Sequence, residues 1–295
     1  MTIKRFHEKT VMIFIWMSSI FLLISVLSII GFLFLKGYKT IGIDLIFRDT
    51  SPLDAIFLRR HVIGGLFPAL AGTALLVVIS TGIAIPFGLA TGIYLSEYAR
   101  PSMKRFLNIF LDILAGIPSI VIGLFGLSLA IFLHRYVSGR IYPCLLISAL
   151  SLAVLVLPYI VRSTQVCLEG LPLNVRLTGT AMGASRFQNL IHVLLPQSLS
   201  GILGGIILAI GRCAEDTAVI MLTGAVATAG IPSSLLAPFE AIPFYIFYIS
   251  SEFRNQEELM TGYGASIILL ILCLFLFGAS YVLKARLQKK FTGYI

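Results

Sequence analysis

The sequence is poor in charge. Asp, Glu, Lys and Arg make up 12% of its 295 residues, against about 25% in soluble globular domains. Its four cysteines, Cys144, Cys167, Cys213 and Cys273, lie far apart, and no C-x-x-C pair occurs. That pattern argues against structural disulfides and against a zinc site. The four histidines, His7, His61, His134 and His192, are equally scattered, so no metal site is expected. A clustered His/Cys/Asp/Glu constellation of the kind an enzyme needs is missing as well. No G-x-x-x-x-G-K-[ST] phosphate loop is found, so nucleotide hydrolysis is not expected of this chain. There is no internal repeat and no low-complexity tract.

What the chain does have is apolar sequence. Hydrophobic residues account for 58%, and several runs reach the ~20 residues that cross ~30 Å of hydrocarbon. The expected fold is all-α, a polytopic membrane protein of about six transmembrane helices. The expected spans are Val11–Leu35, a second from near Pro68 or Gly72 to Tyr94, Phe106–Leu133, Cys144 to about Val161, Leu199–Leu222 and Tyr263–Leu283. Val11–Leu35 follows a basic N-terminus, but it is longer than the 7–15-residue core of a signal peptide and is read as a spanning helix. The third span contains LAGIPSIVIGLFGL, in which Gly116, Pro118, Ser119, Gly123 and Gly126 are expected to distort the helix. The first outside segment is long enough to contain a helix.

The formal charge of +9 does not indicate nucleic-acid binding, because the basic residues flank the apolar runs instead of gathering in one patch. With the N-terminus inside, the inner segments carry 13 Lys and Arg and the outer ones 8. This bias puts both termini in the cytoplasm.

The stretch Leu171–Leu222 concentrates the polar features. In the fifth apolar run, Arg212, Glu215, Asp216 and Thr217 interrupt the hydrocarbon-like sequence. Each charge at bilayer depth costs about 2.5–3.5 kcal/mol unless it is paired or faces a polar cavity. Arg212 stands i,i+3 to Glu215 and i,i+4 to Asp216, so all three share a helix face. Such a cluster is either an ion pair that fixes helix packing or part of an anion pathway, since a guanidinium fork matches phosphate or carboxylate oxygens. The polar loop before it has Gly170, Pro172 and Pro196 as helix punctuation, with Gly179 and Gly183 between them. It is expected to form one or two short helices at the membrane surface, either as an interfacial element or as one that docks into a soluble motor.

At this point the residues resemble a known family. Gly183, followed after nine residues by VLLP (Val193–Pro196), is similar to the cytoplasmic EAA loop of ABC-importer permeases. GGLFPALAGTALLV, PFGLATGIYLSEYA, LAGIPSIVIGLFGL and GRCAEDTA resemble the PstA-type permeases of phosphate ABC transporters, over about Gly64–Leu283. The resemblance implies a type I ABC importer permease (MetI-like) architecture. It divides the chain into an N-terminal helix and extracytoplasmic segment (1–63), a permease domain (64–284) and a cytoplasmic basic tail (285–295). It implies a multi-pass protein of the cytoplasmic membrane with a PstC-like second permease subunit, an ATPase dimer that binds ATP and Mg, and an extracytoplasmic phosphate-binding protein. The family's R-x-x-G-E-T-A pattern falls on Arg212–Ala218, with Glu215 in place of glycine and Asp216 in place of glutamate. The EAA triplet falls on Leu177, Thr178 and Gly179, after the basic Arg176, so its glutamate is missing. The ATPase-coupling residues implied are Arg176, Leu177, Thr178, Gly179, Gly183, Ala184, Phe187 and Pro196. The solute implied is inorganic phosphate. Sulfate, molybdate and a secondary anion transporter stay open as alternatives.

Overall fold

The computed structural model describes residues 2–48 and 65–292. In chain order, α1 (Thr2–Gly37) leads through a short 3-10 turn to α2 (Ile43–Phe47). Then come α3 (Phe67–Ile93), α4 (Pro101–Gly116), α5 (Ser119–Tyr136) and α6 (Leu145–Glu169). The polar loop holds α7 (Leu173–Ala181) and α8 (Arg186–Asn189). The chain ends with α9 (Leu195–Glu215), α10 (Ala218–Thr223), α11 (Ile242–Glu252) and α12 (Gln256–Thr292). Among the described residues, six stretches are long and apolar enough to cross a membrane, carried by α1, α3, α5, α6, α9 and α12. The first outside segment does hold a helix, α2, and residues 49–64 lie outside the described residues.

The helices α1 and α12 run past the expected bounds Val11–Leu35 and Tyr263–Leu283; three other spans differ more deeply, each for a local reason. The third span is not one distorted helix. Ile117 precedes proline and takes an extended conformation (ψ 128°), because the pyrrolidine ring disfavours the α region for the residue before it. The chain therefore makes a separate amphipathic helix, α4, before the spanning α5. The fourth span runs on to Glu169. Its polar end is accommodated by partners on α4: Lys104 meets Glu169 at 2.9 Å, and Arg162 pairs with Asp112 and Asn108. The fifth span stops at Glu215 and resumes as α10.

The core lies where α3, α5, α6, α9 and α10 meet, around Leu76, Ile122, Leu152, Val156, Ala209 and Ile220. Glycines set the helix separations. Gly88 and Gly92 on α3 bring it against Ile160, Val161 and Thr164 of α6. Gly201 and Gly205 on α9 do the same against Cys167, Ser163 and Tyr159. A Cβ at these positions would collide, so this spacing belongs to glycine. By contrast, α1 packs chiefly on α12, with Phe32 edge-on to Tyr263 at 5.7 Å. The rest of its surface exposes large apolar side chains such as Phe14, Trp16 and Phe21, as a lipid-facing helix does.

The end of the bundle away from α7 and α8 is closed by residues 224–241. Ala237 and Leu235 carbonyls accept the N–H groups of Leu145 and Leu146, satisfying donors that the start of α6 would otherwise leave bare. Fully buried Phe239 anchors this segment. Glu240 beside it is also buried and accepts the Gly230 N–H at 2.8 Å. Burial pushes its carboxyl above the usual range, and the Gly230 contact opposes the shift only in part. A carboxyl raised on folding adds stability that is fully present below its unfolded pKa and is lost as pH rises through the folded one. Glu240→Gln should therefore gain thermal stability relative to wild type as pH rises above the ordinary carboxylate range. Melting curves of the two proteins across pH 4–8 should diverge in that direction.

Candidate functional site

The charges of the fifth span sit at the place where its helix breaks. Asp216 takes an extended conformation (ψ 114°) after Glu215, and the backbone re-enters a helix at Ala218. Arg212 lies in the last turn of α9, not in the interior of a continuous helix as Leu199–Leu222 implied. A cation there complements the negative end of the helix dipole, worth about 0.3–1 kcal/mol. Its level along the bundle follows from helix packing. Gly201 meets Cys167, and Gly205 meets Ser163 and the Tyr159 carbonyl. Continuing that antiparallel register places Arg212 beside the middle of α6.

The expected pairing is present. Arg212 Nη1 donates to Glu215 Oε1 at 3.0 Å, and Nη2 lies 3.1 Å from Asp216 Oδ2. The other Asp216 oxygen accepts the Val219 N–H at 2.9 Å. One carboxylate thus ties the end of α9 to the first turn of α10. Glycines on α5 make room for α10: Gly123 faces Ala218 and Val219, and Gly126 faces Ser151 and Thr223. Thr223 in turn donates to the Val219 carbonyl and accepts from the Ser148 hydroxyl, both at 2.8 Å. Pro118 and Ser119 begin α5, and Gly116 ends α4 with open space beside it. The glycine motif therefore seats the broken helix as well as breaking its own.

Arg212 and Glu215 open on a cavity of about 380 Å³, which Tyr159, Leu208, Gly211 and Phe277 complete. Thr217 does not line it; its carbonyl accepts the Met221 N–H instead. Sequence reasoning missed Tyr159 and Phe277. They come from α6 and α12, and nothing local to either residue marks it.

The second group of candidate residues forms one compact unit. Helix α7 ends in a glycine cap. Gly183 has φ +84°, its N–H bonds to Thr180 O, and the Ala184 N–H bonds to Gly179 O at 2.9 Å. Ser185 and Gln188 then form a capping box that starts α8. Gly179 lies against Asn189, whose Nδ2 donates to Arg176 O at 2.8 Å. Thr178 bonds back to Asn174 O within α7, and Pro196 stands in the first turn of α9. Leu177, Met182 and Phe187, apolar residues that alternate with polar ones along the loop, are exposed, together with Leu173, which sequence reasoning passed over. A groove of about 410 Å³ runs between Gly179, Met182, Gly183, Ala184, Gln188, Asn189, His192 and Val193.

Arg176 differs from its neighbours because it turns inward. It donates to the Leu168 carbonyl at the end of α6 and to Glu97 just past α3, both at 2.7 Å. The pair is partly buried, with side-chain exposures of 25% for Arg176 and 16% for Glu97. It joins the short helices to two spanning ones. Glu97 carried no sequence signal, since its partner is 79 residues away.

The bundle of long apolar helices, with a glycine-capped loop at one end and a charged helix break beside the middle of α6, is that of a multi-pass membrane protein. The chain belongs to the family of binding-protein-dependent transport system inner membrane components, whose model matches residues 84–289. It is 33% identical to the phosphate transport system permease protein PstA of Haemophilus influenzae, over 93% of each chain. It is 34% identical to the PstA of Yersinia pestis, over 72% of this chain and 70% of that one. In fold it is similar to the MetNI methionine ABC transporter in an inward-facing conformation. That match has a TM-score of 0.58 at 18% identity and covers 81% of this chain and 99% of the other.

Arg176→Ala removes the tie between the short helices and the bundle. A partly buried, charge-assisted contact of this kind is worth about 1.5–3 kcal/mol. Amide hydrogens of α7 should then exchange at least about tenfold faster, since ~1.4 kcal/mol is tenfold, while those of α6 above Leu168 keep their protection. Hydrogen exchange read by mass spectrometry checks both.

Proposed function

We propose that this chain is a permease subunit of an ATP-driven importer that carries inorganic phosphate across the cytoplasmic membrane. Two relatives named as phosphate permeases, at 33% and 34% identity, support the solute. The observation that carries the reading is the guanidinium of Arg212 at a helix break, paired with two carboxylates and still facing a cavity. A guanidinium has five N–H donors in a fixed fork, and two carboxylate contacts leave donors for an incoming oxyanion.

On this reading both termini are cytoplasmic, in keeping with the excess of Lys and Arg in the inner segments. The α7–α8 unit faces the cytoplasm and docks on a separate ATPase pair, which binds ATP and Mg. A PstC-like permease supplies the other wall of the passage, and an extracytoplasmic phosphate-binding protein delivers the solute at the opposite end. Closure of the ATPase pair moves α7 and α8, and the Arg176 contacts pass that movement to the ends of α3 and α6. Residues 64–284 form the permease unit.

Labelled phosphate uptake by cells producing the whole complex tests the substrate. Unlabelled phosphate should compete, and sulfate and molybdate should not. Uptake should persist when the ion gradient is collapsed at constant ATP; loss under that condition would favour a secondary transporter. The docking assignment is tested in the same cells with Gly183→Arg, which places a bulky charge at a positive-φ position in the exposed cap. It should release the ATPase from the purified complex or raise hydrolysis per phosphate imported. Unchanged association together with unchanged coupling would contradict the assignment.

A further inference from the structure

The two carboxylates on Arg212 lie at nearly equal distances, 3.0 and 3.1 Å, but they are anchored very differently. Asp216 is 2% exposed, and its second oxygen holds the Val219 N–H. Swinging it away would uncap α10 and strip a buried contact at the helix break. Glu215 is 59% exposed and lines the cavity, and Asp216 does not. Among the described residues, the one hydrogen bond of the Glu215 carboxylate is to Arg212 Nη1. An ion pair this exposed contributes little, so little holds Glu215 in place.

We propose that Glu215 is a displaceable internal competitor for the transported anion, and that Asp216 is the fixed counterion of Arg212. The inference rests on the reading of Arg212 as an anion site. An oxyanion entering the cavity takes the Nη1 position, and Glu215 turns outward into the open space beside it. When the passage opens to the other side, the tethered carboxylate returns to Nη1 and expels the anion. The electrostatics favour this exchange, because a guanidinium already neutralised by Asp216 gains little from holding two further anionic groups at once. Glu215 therefore weakens anion binding and speeds release.

The test uses the purified complex of permease, ATPase and partner permease, without the binding protein, so that its affinity does not mask that of the passage. Inorganic phosphate is the probe, titrated by its thermal stabilisation of the complex. Glu215→Gln and Glu215→Ala should both bind phosphate about two- to fivefold more tightly than wild type, the range given by losing a weak competing pair. In proteoliposomes supplied with saturating loaded binding protein, both variants should turn over more slowly, because release is delayed. Tighter binding with slower turnover is not what damage to the fold produces. Equal or weaker phosphate binding in both variants would overturn the inference, as would no binding to any of the three proteins. Phosphate uptake by the wild-type proteoliposomes would then show that the import reading still stands, and its absence would show that both have failed.

Discussion

A helix that stops inside hydrocarbon leaves backbone groups without water to satisfy them, and each unsatisfied group costs several kcal/mol. The arrangement around residues 215–219 answers that constraint, and much of the bundle is built to support it. Asp216 closes the gap by serving Arg212 at the end of α9 and the Val219 N–H at the start of α10. Gly123 and Gly126 let α5 approach α10 closely enough to bury the short helix. Ser148 and Thr223 link α6 to it. The break then leaves a guanidinium facing a cavity beside the middle of α6, where a continuous apolar helix would present only hydrocarbon side chains.

The short helices at the loop end obey the opposite requirement. They must expose an apolar face and still remain attached to the bundle. Leu173, Leu177, Met182 and Phe187 provide the face. Arg176, Glu97 and Asn189 provide the attachment, through contacts that reach the ends of α3 and α6. The antiparallel packing of α6 and α9 carries the line onward to the broken helix. Surface loop and charged break are thus joined by a continuous chain of close, glycine-mediated contacts.

Much of this was legible in the sequence. Hydrophobic runs gave the number of spans, and i,i+3 and i,i+4 spacing gave the charge cluster. Glycine and proline punctuation gave the short helices of the loop. The failures share a cause. Ile117–Pro118 and Asp216–Thr217 lie inside apolar runs, so hydropathy reads through them, although the residue before proline already signalled the first break. The length of α6 was underestimated because Arg162 and Glu169 look like the start of a loop until their partners on α4 are known. Tyr159, Phe277 and Glu97 act through contacts distant in sequence, and a single sequence without relatives offers no means of pairing them.

The central claim is that the guanidinium at the helix break handles the anion instead of merely holding helices together. Phosphate uptake by the assembled complex, compared between wild type, Arg212→Lys and Arg212→Ala, tests it most directly, with co-purification of the ATPase as the measure of assembly. The account expects both variants to assemble, Arg212→Ala to abolish uptake, and Arg212→Lys to retain a small part of it, since an ammonium keeps the charge and loses the fork. Normal uptake by an assembled Arg212→Ala complex would contradict it and leave the cluster as an ion pair that fixes packing.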